Sequence, residues 1–86
     1  MCVNNRQRKT LNLIFADPVD GNLEWRKIES LLMALGCQRS EGAGSSVAFA
    51  HSGISAYFHR PHPQRAALRY RVLDARKFLD AIGARP

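Results

Sequence analysis

Eighty-six residues with a net charge of +6, 45% of them hydrophobic and 23% charged, make one small basic domain; this excludes a second core and a disordered chain. No apolar run reaches the ~20 residues of a membrane helix, and no signal-peptide core follows the start, so the expected setting is the cytoplasm, with no membrane contact. Cys2 and Cys37 stand alone, without Cys-x-x-Cys or Cys/His spacing, which leaves free thiols, no metal and no cofactor in the reading.

Residues 1–5 read as an unstructured start. From about Arg6 to Phe15 the pattern is helical, with Leu11, Ile14 and Phe15 at i, i+3 and i+4. Pro18 ends it, since the residue before a proline is pushed out of the α region. Asp20-Gly21 signals a turn. The second helix is the clearest element. Trp25, Ile28, Leu31, Leu32 and Leu35 form one apolar stripe, Asn22 is the expected N-cap, and Gly36 is placed to end the helix in the left-handed region. Trp25 is assigned to the core by its place on that stripe.

The hydrophobic period then changes from 3.6 to 2. Cys37 to about Ser40 reads as a short strand and Glu41 to Ser45 as a glycine-rich loop. Ser46 to His51 alternates, and Ser52-Gly53 marks a tight hairpin before a strand from Ile54. Val47, Phe49, Ile54, Ala56 and Phe58 take one face. Ser46, Ala48, Ala50, Ser55, Tyr57 and His59 take the other. A two-residue loop pairs His51 with Ile54, Ala48 with Tyr57, and Ser46 with His59, and directly paired residues share a face. Pro61 and Pro63 end the strand. Residues 62–73 read as irregular and basic. A last helix is expected from about Asp74 to Ile82, with Asp74 as cap, Leu73 and Phe78 as a hydrophobic staple and Gly83 beyond its end.

The resulting order is α-α-β-β-β-α, an α+β domain with a three-stranded antiparallel sheet covered by helices on its apolar face. The uncovered face is small and polar, and function is expected there. The basic excess falls in two groups. Arg6, Arg8 and Lys9 form one. Arg60, Arg65, Arg69, Arg71, Arg76 and Lys77, with only Asp74 between them, form the other. Such a distribution points to a polyanion, most simply nucleic acid, with an acidic protein as the competing partner.

The run Trp25 to Gly36, the Gly44-Ser45 that opens a strand, Phe49, the pair His62-Pro63, and Phe78-Leu79 through Gly83 occur in an order and spacing that resembles the HicA family of toxins. The resemblance spans roughly Glu24 to Gly83. It implies a double-stranded-RNA-binding-domain-like fold, ribonuclease activity on mRNA, and a HicB-like antitoxin that blocks the site. It also implies a catalytic histidine in a Gly-Ser-His motif at the start of the second strand. Here the motif reads Gly44-Ser45-Ser46. A serine hydroxyl does not titrate near neutrality and cannot take a proton from a 2′-hydroxyl as imidazole can.

His59, expected beside Ser46 on the open face, is the candidate replacement base. Gly44, Ser45, Tyr57, Arg60, His62, Arg65, Arg69 and Arg71 are the candidate RNA contacts, Tyr57 by stacking on a base and the arginines by meeting phosphate. Gly42 and Gly44 leave room for a phosphate to approach backbone N–H groups. Each of these residues also has an ordinary structural place: a solvated strand histidine, an exposed strand tyrosine, a loop that simply turns. The readings of function are therefore a toxin that binds mRNA and cuts it as an endoribonuclease, a module of the same fold that binds RNA or an antitoxin without chemistry, and a structural interaction domain whose basic face meets an acidic protein.

Overall fold

Asn4 and Asn5, assigned by sequence to the unstructured start, instead begin the first helix, α1 (Asn5–Ile14). The Asn4 side chain accepts from the Gln7 N–H, and the Gln7 side chain accepts from the Asn4 N–H, both at 2.9 Å. This reciprocal pair satisfies two backbone donors that a helix start leaves free. The computed structural model describes residues 3–61 and 66–86, so Cys2, His62 and Arg65 lie outside the described residues. The far end of α1 is held by Arg76, whose guanidinium donates to the carbonyls of Ile14 (2.8 Å) and Ala16 (2.9 Å). A cation there meets the unpaired carbonyls and the negative end of the helix dipole.

The second helix, α2, runs Trp25–Ala34. Its cap is Glu24, not Asn22. The Asn22 N–H donates to the Asp20 carboxylate in a side-chain turn (2.8 Å). Leu23 is buried, its carbonyl accepts from Ala67 N–H at 2.7 Å, and Glu24 bridges to Ala66. Burying Leu23 and pairing its carbonyl draw residues 23–24 into extended backbone, so the helix starts only at Trp25. At the other end Gly36 takes φ +87°. Its N–H donates to Met33 and that of Cys37 to Leu32, the paired bonds of a Schellman ending.

Cys37 is buried as the residue after that ending, and the first strand, β1, covers Gln38–Glu41. β2 (Ser46–His51) and β3 (Ile54–His59) follow, and the sheet order is β1-β2-β3, antiparallel throughout. Ser52 and Gly53 both have positive φ (53° and 79°), as a two-residue turn matching the strand twist requires. The register pairs His51 with Ile54, Ala48 with Tyr57 and Ser46 with His59, as the turn predicts.

The last helix, α3, spans Arg69–Ala81 and so begins well before Asp74. Val72 and Ala75 are fully buried with Phe78 and Leu79, which extends the apolar stripe one turn toward the N-terminus. Leu73, the expected staple residue, lies within the helix and is exposed. Gly83 (φ +80°) ends α3 with the same paired bonds as α2.

The observed order α-α-β-β-β-α is an α+β fold, compatible with the double-stranded-RNA-binding-domain-like arrangement that the resemblance implies. Trp25, Ile28, Leu31 and Leu32 of α2 meet Val47, Phe49 and Phe58 of the sheet and Val72, Phe78 and Leu79 of α3 in one core. The Trp25 and Phe58 rings lie 5.2 Å apart and those of Phe49 and Phe58 6.2 Å apart. α1 packs on α2 and α3. Among the described residues no helix is long and apolar enough to cross a membrane.

Candidate functional site

Because side chains alternate along a strand, burying Val47, Phe49 and Phe58 forces their neighbours outward. Ser46, Ala48 and Ala50 of β2 and Ser55, Tyr57 and His59 of β3 therefore share the opposite face, which no helix covers among the described residues. Three of these six are serine or alanine on β2, so the face is low there, and Tyr57 stands 78% exposed above it. At one end of this face lies a shallow cleft of about 260 Å³, whose lining includes Ser40, Gly42, Ser46, Ala48, Tyr57 and His59. His59 is exposed and Ser46 half-buried. Among the described residues no carboxylate lies within ion-pair distance of His59.

The loop before β2 is tied tightly. Gly44 takes φ +61°, which favours glycine at that turn. The Gly42 N–H donates to the Ser46 carbonyl (2.9 Å) and the Ser46 N–H to the Ala43 carbonyl (3.2 Å). The Gly42 amide, expected to be open to a phosphate, is thus already used. Gly42 also lies against Ser46 so closely that a Cβ there would sit 2.9 Å from the Ser46 Cβ. Ser45 is exposed, and its carbonyl accepts from the Arg60 N–H at 2.9 Å.

Arg60 is where geometry departs most from expectation. Its Nε and Nη2 donate to the two oxygens of Glu29 (2.8 and 3.0 Å), and its Nη1 and Nη2 to the two oxygens of Glu41 (2.5 and 2.9 Å). Glu29 also accepts from the Trp25 indole N–H at 2.6 Å, and Arg39 lies 3.5 Å from both carboxylates. The hydrogen bond from Arg60 holds the Glu41 carboxyl below the usual carboxylate range, aided by the charges of Arg60 and Arg39. Hydrogen bonds to Glu41 and then Glu29 hold Arg60 still more firmly protonated. Four of the five guanidinium N–H donors are thus committed to carboxylates and no fork remains to offer a phosphate, so the geometry favours a structural role for Arg60.

The remaining candidates separate in space. Arg69 and Arg71 sit on the first turn of α3, in the helical layer, and not on the open face of the sheet. Arg71 lies over the Tyr70 ring, 5.2 Å from its centre. His62 and Arg65 fall outside the described residues. The sequence reading missed Glu29, whose only signal is a carboxylate one turn after Trp25, beside the apolar stripe. The Cys37 thiol is buried, which raises its pKa, and it is remote from any catalytic use. Among the described residues no group of three or more His, Cys, Asp or Glu side chains is placed to hold a metal.

Residues 25–80 match a family model described as HicA toxin of bacterial toxin-antitoxin. Comparison with curated proteins gave no match. Comparison with solved structures gave none either. The matched span runs from the first residue of α2 almost to the end of α3, so it takes in the whole sheet and leaves α1 outside.

Proposed function

The chain belongs to the HicA family of toxins of bacterial toxin–antitoxin systems, and on that premise we propose that its open sheet face binds mRNA in the cytoplasm, with His59 as the base that cuts it. The observation that carries this reading is the direct pairing of Ser46 with His59 across β2 and β3. It sets an imidazole on the uncovered face beside the strand position where the family resemblance calls for one.

The chemistry follows from that placement. Neutral imidazole takes the proton of a ribose 2′-hydroxyl. The 2′-oxygen attacks the adjacent phosphorus, a 2′,3′-cyclic phosphate forms, and the bond to the 5′-oxygen breaks, that oxygen receiving a proton from water. Tyr57, standing free above alanines, would stack on a flanking base. The partner implied by the family is an antitoxin, HicB-like in our reading, which silences the toxin by covering this same face.

Ser46 itself favours a second reading, a module that kept the face and lost the chemistry. Two substitutions separate the readings, with RNA cleavage followed on gels and growth followed on expression. If His59 is the base, the unaltered protein cuts RNA, and His59→Ala abolishes cutting while RNA binding survives. A protein that is inert but gains cleavage with Ser46→His has lost only its base, and the gain should be of the order 10²–10⁴-fold. A protein inert in both forms refutes the cleavage reading and leaves binding alone.

A further inference from the structure

Between α1 and α2 lies an open groove of about 520 Å³, lined by Arg6, Lys9 and Leu13 of α1 and Arg26, Lys27 and Ser30 of α2, with Gln7 and Thr10 completing its wall. Gln7 bridges the two helices, its amide donating to the Ser30 hydroxyl at 3.1 Å. Four of the eight lining residues are cations and none is acidic. Glu24 approaches from outside and pairs with Arg26 (2.8 Å) and Lys27 (3.9 Å). Among the described residues Arg6 and Lys9 are in no ion pair.

We propose that this groove is a second contact surface for the phosphodiester backbone of RNA, separate from the sheet face. Cations held close together on two packed helices repel one another, and a polyanion relieves that repulsion. The chemistry of the lining favours phosphate over an acidic protein. Arginine and lysine are the side chains that most directly meet phosphate oxygens, and Arg6 and Lys9 are exposed here, whereas the Thr10 hydroxyl is buried and donates to the Arg6 carbonyl. Protein interfaces are anchored on buried aromatic and large apolar groups, and this groove offers only Leu13. α1 is tied to α2 by the Gln7–Ser30 bond and to α3 by Arg76. Five of the eight lining residues come from α1, which lies outside the family-matched residues. The groove therefore lies partly outside the family-matched span.

The proposal shares with the reading above only the premise that the ligand is RNA, and the test separates the two. A short fluorescein-labelled single-stranded RNA is titrated by anisotropy over a series of salt concentrations. The proteins compared are the unaltered chain, the Arg6→Gln/Lys9→Gln pair, a charge-matched Lys77→Gln/Arg85→Gln pair on α3 and the C-terminal tail, and Tyr57→Ala. Glutamine keeps helix propensity at exposed sites, and thermal melts check that each fold is intact. Each phosphate neutralised on a single strand adds about 0.7 to the slope of log affinity against log salt, so losing two groove contacts should flatten it by about 1.4. The charge-matched pair should flatten it less. Equal effects of the two pairs, or no effect of the groove pair, overturn the groove while leaving the sheet face to be judged by Tyr57→Ala. Weakening by the groove pair alone keeps the groove and refutes the sheet face. No binding by the unaltered chain at low salt refutes both. Poly-glutamate displacing RNA from the unaltered chain at equal charge concentration would assign the groove to an acidic protein instead.

Discussion

Replacing Arg60 with methionine tests whether this arginine serves the fold or the ligand. The substitution keeps much of the side-chain bulk and removes the fork that joins Glu29 to Glu41. The Glu29 side chain is only 15% exposed and that of Arg60 24%, so their pair lies between two limits. Exposed pairs contribute about 0–1 kcal/mol, and losing one partner of a fully buried pair costs about 3–5 kcal/mol. Glu29 keeps the Trp25 indole N–H at 2.6 Å and gains no new donor. The expected loss is about 2 kcal/mol, in line with a charge-assisted hydrogen bond whose acceptor stays half-desolvated. For a domain of this size that lowers the melting temperature by roughly 8–16 °C. Glu29→Gln should behave similarly, and a double-mutant cycle should give a much larger coupling for Arg60 with Glu29 than with the exposed Glu41. RNA affinity, measured well below the melting point, should change less than on removal of Arg6 and Lys9. An Arg60→Met protein that melts like the unaltered chain yet binds RNA poorly would refute the assignment and return Arg60 to the phosphate contacts.

Two further outcomes follow from the same corner of the sheet. Gly42→Ala places a Cβ 2.9 Å from the Ser46 Cβ, against strand and not against a flexible chain end, and should cost about 1–3 kcal/mol by denaturant melts while displacing the start of β2; a neutral substitution would mean the loop yields freely. The Glu41 carboxyl is held below the usual carboxylate range, so its stabilising contribution is complete above that range and fades as pH falls through the lower folded-state value. The stability gap between the unaltered chain and Glu41→Gln should accordingly be constant near neutrality and close as acidification passes through and below the usual carboxylate range; parallel curves throughout would show that Arg60 does not act on this carboxylate.

Some of this structure can be read from the chain and some cannot, for physical reasons. The hairpin is legible because its information is local. Strict alternation fixes the faces, and Ser52-Gly53 fixes the register, so the pairing of Ser46 with His59 follows from a handful of neighbouring residues. The start of α3 is not legible in the same way. Asp74 is an attractive cap, and Arg69, Tyr70 and Arg71 look like a basic loop, yet burial of Val72 and Ala75 extends the helix past them. Here tertiary packing outweighs local preference. Asn22 loses its capping role likewise, to the burial of Leu23. The ion-pair cluster is illegible for a third reason: Glu29 and Arg60 are 31 residues apart and meet only once α2 has packed on the sheet.

That cluster also bears on what a side chain at position 46 can do. Arg60 follows His59 directly, and its N–H donates to Ser45 while its guanidinium is locked to Glu29 on α2. Gly42 and Ala43 bind the backbone of Ser46 from the other side. The start of β2 and the end of β3 are therefore pinned to each other and to the core by groups that do not include the side chains of Ser46 or His59. Position 46 is a fixed address on the open face, whichever residue occupies it. The rotamer freedom of serine or histidine remains, on a backbone held by these bonds. A base introduced there by Ser46→His would begin where the proposed chemistry calls for one, on that same backbone. The same pinning holds His59 across from it, so His59→Ala removes an imidazole without releasing the backbone that presents it. On the proposed reading Arg60 serves the site by fixing the backbone that presents it, and a misplacement of about 1 Å can cost a catalytic group 10²-fold.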